Sequence, residues 1–157
     1  MKNRHWRRRE RARTGRRERR ERRMAMQSVK ALSLHNGDPA WLDMIMAGLK
    51  TIETRTWSTS YRGPLLLVGA KRPENHLSGK AACLVRLADC RPMTAADETA
   101  ACCAHRPGLY AWVLGEKDNM VRPWPVRGRQ GLFNAEVPDF VMDIYTQMVN
   151  GKVARWT

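Results

Sequence analysis

Between residues 28 and 137 the chain is a succession of short apolar runs, none of them long, separated by turn-forming clusters. This spacing limits what it can fold into. Residues 28–35 read as a strand in which Val29 and Ala31 alternate imperfectly with polar neighbours. Residues 51–57 read as a second strand, and 64–70 as a short buried one, linked by Tyr61-Arg62-Gly63-Pro64. Residues 81–89 form another apolar run. Residues 109–115 and 120–126 read as strands separated by the turn-like Glu116-Lys117-Asp118-Asn119, and 132–137 as a further one.

Helical signals interrupt this series. Asp38 suits a cap and Pro39 a first helical position, after which Trp41, Met44, Ile45, Gly48 and Leu49 follow helical spacing. Gly48 suits a left-handed helix end. Thr94 suits the cap of a short helix over residues 94–105. Phe140, Val141, Ile144, Tyr145, Met148 and Val149 make one stripe of a C-terminal helix over residues 139–150. Strands and helices do not alternate as βαβ units. The expected class is therefore α+β, with a mostly antiparallel or barrel-like sheet. The 157 residues suit one domain with one modest core.

Charge divides the chain. Residues 1–23 hold thirteen of the 29 basic residues and three of the 15 acidic ones, a net of +10, whereas the rest carries only +4. The leader has no apolar periodicity to offset its ordering entropy, so it is expected to be disordered, or a frayed helix on its own. Three readings stay open for it: an arginine-rich arm for phosphate backbones, a solvated tail, or a translated ribosome-binding region. Arg and Glu can both be written in purine codons, and on the third reading the native start is Met24 or Met26. The single domain is then residues 24–157. No run of about 18 apolar residues exists and no apolar segment follows the basic start, so a cytoplasmic location without membrane contact is expected.

Cys83, Cys90, Cys102 and Cys103 form no C-x-x-C pair. Cys102 and Cys103 with His105 read as two small helix residues beside a surface imidazole, so no metal site and no cofactor is expected.

The chemistry concentrates in Gly48-Leu49-Lys50-Thr51-Ile52-Glu53-Thr54-Arg55, a G-x-K-x-x-E-x-R pattern where a helix hands over to a strand. Two residues apart on a strand, Glu53 and Arg55 share a face and can hold each other ionised. Strand parity does not fix Lys50, which precedes the strand. Arg62 and Lys71 would add positive charge, and Trp57 or Tyr61 a stacking surface for an unpaired base. Each has a plainer alternative: a sheet-fixing ion pair for Glu53 and Arg55, a helix-end cation for Lys50, core for Trp57, surface charge for Arg62 and Lys71. Arg127-Gly128-Arg129-Gln130-Gly131 is likewise a phosphate-binding loop through Arg127 and Arg129, or a hairpin turn with solvated arginines. Trp112 and Trp124 read as core.

With Tyr61-Arg62-Gly63, Gly108-Leu109-Tyr110-Ala111-Trp112 and the 125–132 segment following in order, residues 28–135 resemble the ASCH family, a branch of the PUA-like superfamily, in a small prokaryotic or phage-type member. The resemblance implies a PUA-like β-barrel of short mixed strands with flanking helices. It also implies RNA or nucleotide binding through a basic cleft that recognises a nucleobase and phosphate. The alternative it implies is hydrolysis of a modified nucleoside such as N4-acetylcytidine, or metal-independent RNA cleavage, with Lys50 and Glu53 as the catalytic pair. The family's amidohydrolases use a Lys, a Thr three residues later and a distant Glu. Here the Thr position holds Glu53, and Glu98 is the candidate for the distant acid. Because Glu53 would raise the Lys50 pKa, binding is the expected function.

Overall fold

The computed structural model describes residues 3–120 and 122–151. Six strands form one sheet: β1 (Met26–Leu34), β2 (Ile52–Arg55), β3 (Gly63–Gly69), β4 (Ala81–Pro92), β5 (Tyr110–Asn119) and β6 (Phe133–Pro138). Helices α1 (Asn3–Met24), α2 (Trp41–Met46), α3 (Glu98–Ala101) and α4 (Asp139–Val149) flank it. The spatial order is β2-β5-β4-β3-β1-β6. Only β1 and β3 run parallel; the other neighbours are antiparallel.

The α+β class holds, but the expected barrel does not. The sheet is open, because β2 and β6 are edges that do not pair. It still curls enough to bring β2 back towards β1, where the Arg55 side chain reaches the Ser33 carbonyl at 2.9 Å. The gap has a simple origin. β6 pairs with β1 only over Met26 to Ala31. Beyond Ala31 no described strand lies on that side of β1, so the Ser33 carbonyl meets the Arg55 side chain where a closed barrel would have a strand-to-strand seam.

The core lies on both faces of the sheet. Leu32, Leu34, Leu65, Leu67, Val85, Leu87 and Trp112 pack with Leu42 and Ile45 of α2. On the other face Val29, Leu66, Val68, Leu84, Phe133 and Val137 pack with Val141 and Tyr145 of α4. A smaller cluster of Ile52, Met93, Ala101, Leu109 and Ala111 seats α3 against β2 and β5. The near-continuous Leu-Leu-Leu-Val of β3 reads as it does because β3 is central and buried on both faces.

Several boundaries differ from the sequence expectation. Glu116-Lys117-Asp118-Asn119 is not a turn: β5 continues through it against β4, in register Val85–Lys117, Leu84–Asp118 and Cys83–Asn119, with an Arg86–Glu116 ion pair across the ribbon. The expected strand over 120–126 is mostly loop, its described residues tied down by Val126 N–H to Gly79 and by Trp124 O to Ala81. The helix over 94–105 shortens to a 3-10 turn (Ala95–Asp97) and α3, ending at Cys102 in the left-handed region (φ 55°). Its expected cap is present: Thr94 and Asp97 form a reciprocal capping box. α2 begins at Trp41, with Ala40 rather than Asp38 at its cap.

In the leader, residues 3–24 form helix α1, the second of the two expected states. From His5 to Glu21 its side chains are almost all exposed, and Arg17 and Glu21 pair one turn apart at 2.8 Å. Arginine is a good helix former, and such i,i+4 pairs add a few tenths of a kcal/mol each. No helix among the described residues is long and apolar enough to cross a membrane.

Candidate functional site

Lys50 lies between the end of α2 and β2. Gly48, at φ 79°, turns the chain, and the Leu49 and Lys50 amides both donate to the Met44 carbonyl. This turn directs the lysine stem inward rather than to solvent. The Lys50 side chain is only 2% exposed. Its ammonium donates to the Ala101 carbonyl at the end of α3 at 2.5 Å and lies 4.7 Å from the centre of the Trp41 ring. A buried ammonium needs such partners, since burial without them costs several kcal/mol.

Glu53 and Arg55 share a face of β2, as strand parity expects. Arg55 Nε lies 3.3 Å from Glu53 Oε1, and Lys50 Nζ 3.7 Å from Oε2. Both separations exceed the roughly 2.7–2.9 Å of a charge-assisted hydrogen bond. The carboxylate is therefore flanked by two cations, both at longer range than a close charge-assisted hydrogen bond. Burial raises its pKa above the ordinary 4.5, an effect only partly opposed by Arg55, Lys50 and the Thr54 amide. A carboxylate has about four lone-pair sites, so it keeps acceptor capacity for a further donor.

These groups face an open cleft of about 440 Å³, walled by Ser33, His35, Trp41, Thr54, Cys103 and Arg106. A second depression of about 390 Å³ begins on the far side of Arg55 and is lined by Leu32, Trp57, Arg129 and Gln130. The loop carrying Arg129 is seated closely: a Cβ on Gly128 would stand 2.7 Å from Ser33 Oγ. Ser33 Oγ is itself buried without a hydrogen-bond partner. Two separated sequence segments, Lys50 to Arg55 and Gly128 to Gly131, thus meet at Ser33 and Arg55.

The other expected residues lie elsewhere. Trp57 packs edge-on to Trp112, at 4.7 Å between ring centres, and its carbonyl accepts from Trp112 Nε1. It is partly core and partly the wall of the second depression. Tyr61 donates its hydroxyl to the Pro64 carbonyl and packs on the core. Arg62 ties the carbonyls of Thr59, Tyr61 and Cys90 to the Asp89 carboxylate. Both hold the 57–63 connection in place, away from the cleft. Lys71 is exposed just beyond β3 and outside the cleft walls. Arg127 lines a third depression, of about 320 Å³, with Arg129 and Trp124. Glu98, the candidate distant acid, accepts the His105 amide at the protein surface and does not face Lys50. Trp112 is fully buried and Trp124 half-buried.

Trp41, His35 and Arg106 join the cleft although sequence reasoning did not select them. Trp41 counted as an inward helix residue, and nothing local reveals that its inner neighbour is an ammonium. Among the described residues no three His, Cys, Asp or Glu side chains gather in a metal-binding arrangement.

The family model of the ASCH domain matches residues 33–137, well over half of the chain. No curated protein matches it.

Proposed function

The chain belongs to the ASCH domain family, and from that premise together with the cleft's geometry we propose that it binds RNA by taking an unpaired nucleobase against Glu53. ASCH domains are generally linked to RNA binding. The observation that carries the reading is the buried, incompletely paired Glu53 carboxylate at an open cleft. On this reading Glu53 accepts from an exocyclic amine such as cytosine N4, the usual partner of a carboxylate among the bases. Arg55 and Arg106 supply charge for phosphate, and Trp41 an apolar wall.

The geometry favours binding over hydrolysis of N4-acetylcytidine or RNA cleavage. A lysine acting as base or nucleophile must be neutral. Lys50 instead spends its side-chain nitrogen as a buried donor to the Ala101 carbonyl at 2.5 Å, with Glu53 at 3.7 Å. The threonine of the family's amidohydrolases is Glu53 here.

Calorimetry with free nucleosides tests the reading. A nucleoside carries no phosphate, so the charge of the arginine-rich leader adds no phosphate contact to its binding. Cytidine is expected to bind, and uridine, which presents O4 to the carboxylate, to bind more weakly by about 1–3 kcal/mol. Equal affinities, or release of cytidine and acetate from N4-acetylcytidine that disappears in Lys50→Met, would contradict it.

A further inference from the structure

Three depressions adjoin in succession, and each contains one tryptophan. The first, with Trp41, is the cleft beside Glu53. The second, with Trp57, shares Ser33 and Arg55 with the first. The third, with Trp124, shares Arg129 with the second. An arginine therefore stands at each of the two boundaries. We propose that this alternation is a track for three successive nucleotides of single-stranded RNA, with one base against each tryptophan and the two intervening phosphates on Arg55 and Arg129. The proposal rests on the base-binding reading of the first cleft and extends it to a ligand of defined length.

The chemistry fits a single strand. Aromatic platforms interleaved with cations bind unpaired bases with little regard to sequence, at about 1–3 kcal/mol per stacked base. A duplex cannot deliver its bases into three separate recesses, because they are stacked and paired. The volumes, about 440, 390 and 320 Å³, each reach the lower range of small-molecule sites, about 300–1,000 Å³. The walls are also fixed before any ligand arrives. Trp57 is held by Trp112 through ring contact and a 3.2 Å hydrogen bond. Arg55 is held by the Ser33 carbonyl. Gly128, pressed against Ser33, sets where Arg129 leaves its loop. A wall set in advance loses less entropy when it binds.

The test is a length series on the full chain: cytidine, CpC, CpCpC and CpCpCpC, all without terminal phosphates, followed by calorimetry. Affinity is expected to rise about tenfold at the second and again at the third nucleotide, then to level off. Arg129→Ala, at an exposed position, is expected to bring CpCpC down to the affinity of CpC and to lower the salt dependence of CpCpC binding by about 0.7 in log–log slope. Affinity that climbs steadily past three nucleotides, equally in both proteins, would assign the gain to the leader and overturn the track while leaving the base cleft standing. Absence of cytidine binding altogether would overturn the base cleft, and the track with it.

Discussion

The guanidinium of Arg55 donates to the carbonyl of Ser33 at 2.9 Å, although three strands stand between β2 and β1 in the sheet. One side chain thereby spans the seam at which a barrel would have closed. It does so while also facing Glu53. Arg55→Met removes the bond across the seam and one of the two cations beside a buried carboxylate. Urea unfolding is expected to show a loss of about 1.5–3 kcal/mol, the range for a hydrogen bond involving a charged group. Stability equal to that of the parent would show that the seam needs no such bridge.

Glu53 should titrate above the ordinary glutamate value of 4.5, because burial outweighs the attraction of Arg55 and Lys50. Folding then favours the protonated form, so this residue's contribution to stability falls as pH rises from about 4.5 through the raised pKa. Binding has the opposite sign. The carboxylate is the acceptor, so cytidine affinity should decline as pH falls through the same range. Side-chain carboxyl carbon shifts followed by NMR read the titration directly. In Arg55→Met the midpoint should move higher still, since Arg55 is the largest of the lowering influences. A midpoint at or below 4.5 would remove the basis for an underpaired carboxylate.

Asp97 supports the site from behind. It accepts from both terminal nitrogens of Arg91, at 2.7 and 2.8 Å, and from the Thr94 amide at 2.9 Å. These contacts anchor the turn that leads into α3, whose Ala101 carbonyl holds Lys50. The Arg91 hydrogen bonds, the Thr94 amide and the Arg91 charge hold the Asp97 carboxyl far below its ordinary 3.8. Its stabilising effect is therefore complete above about pH 3.8 and lost as pH falls below it. Asp97→Asn should melt at a lower temperature than the parent at neutral pH, and the gap should narrow as the solution is acidified below that value. A gap independent of pH would mean that the charge does not matter.

A Cβ on Gly128 would sit 2.7 Å from Ser33 Oγ, while the Ser33 Cβ stands clear at 3.8 Å. Gly128→Ala therefore has to turn the Ser33 hydroxyl or move the loop, at a cost of up to about 1 kcal/mol. Because Arg129 moves with that loop, CpCpC affinity should fall more than cytidine affinity. Parallel losses for both ligands would place the loop's effect in general stability rather than in the track.

Local rules explain what was legible. Glu53 and Arg55 were placed on one face by parity alone, and Thr94 was readable as a cap from its residue type, with Asp97 as the partner the fold supplies. The buried Leu-rich β3 and the stripe of α4 followed from composition and period. What failed was decided by distant parts of the chain. Glu116 to Asn119 look like a turn but are strand because β4 offers a partner and Arg86 a counter-charge. The barrel stays open because β6 stops pairing at Ala31, which no local pattern in β1 announces. Tyr61 and Arg62 carry site-like chemistry but use it on nearby carbonyls. The direction of Lys50 was left open by the strand rule and was settled by a carbonyl 51 residues away.

The most direct test of the base cleft is a titration of the full-length protein with cytidine, followed by amide and tryptophan side-chain NMR signals. Saturable shifts are expected at Glu53, Arg55, the Trp41 indole and the Cys103–Arg106 loop, with the leader helix unmoved. The pH dependence of that binding should vanish in Glu53→Gln. The proposal would be contradicted if these signals stayed still at millimolar cytidine, or if the only residues to respond lay outside the cleft.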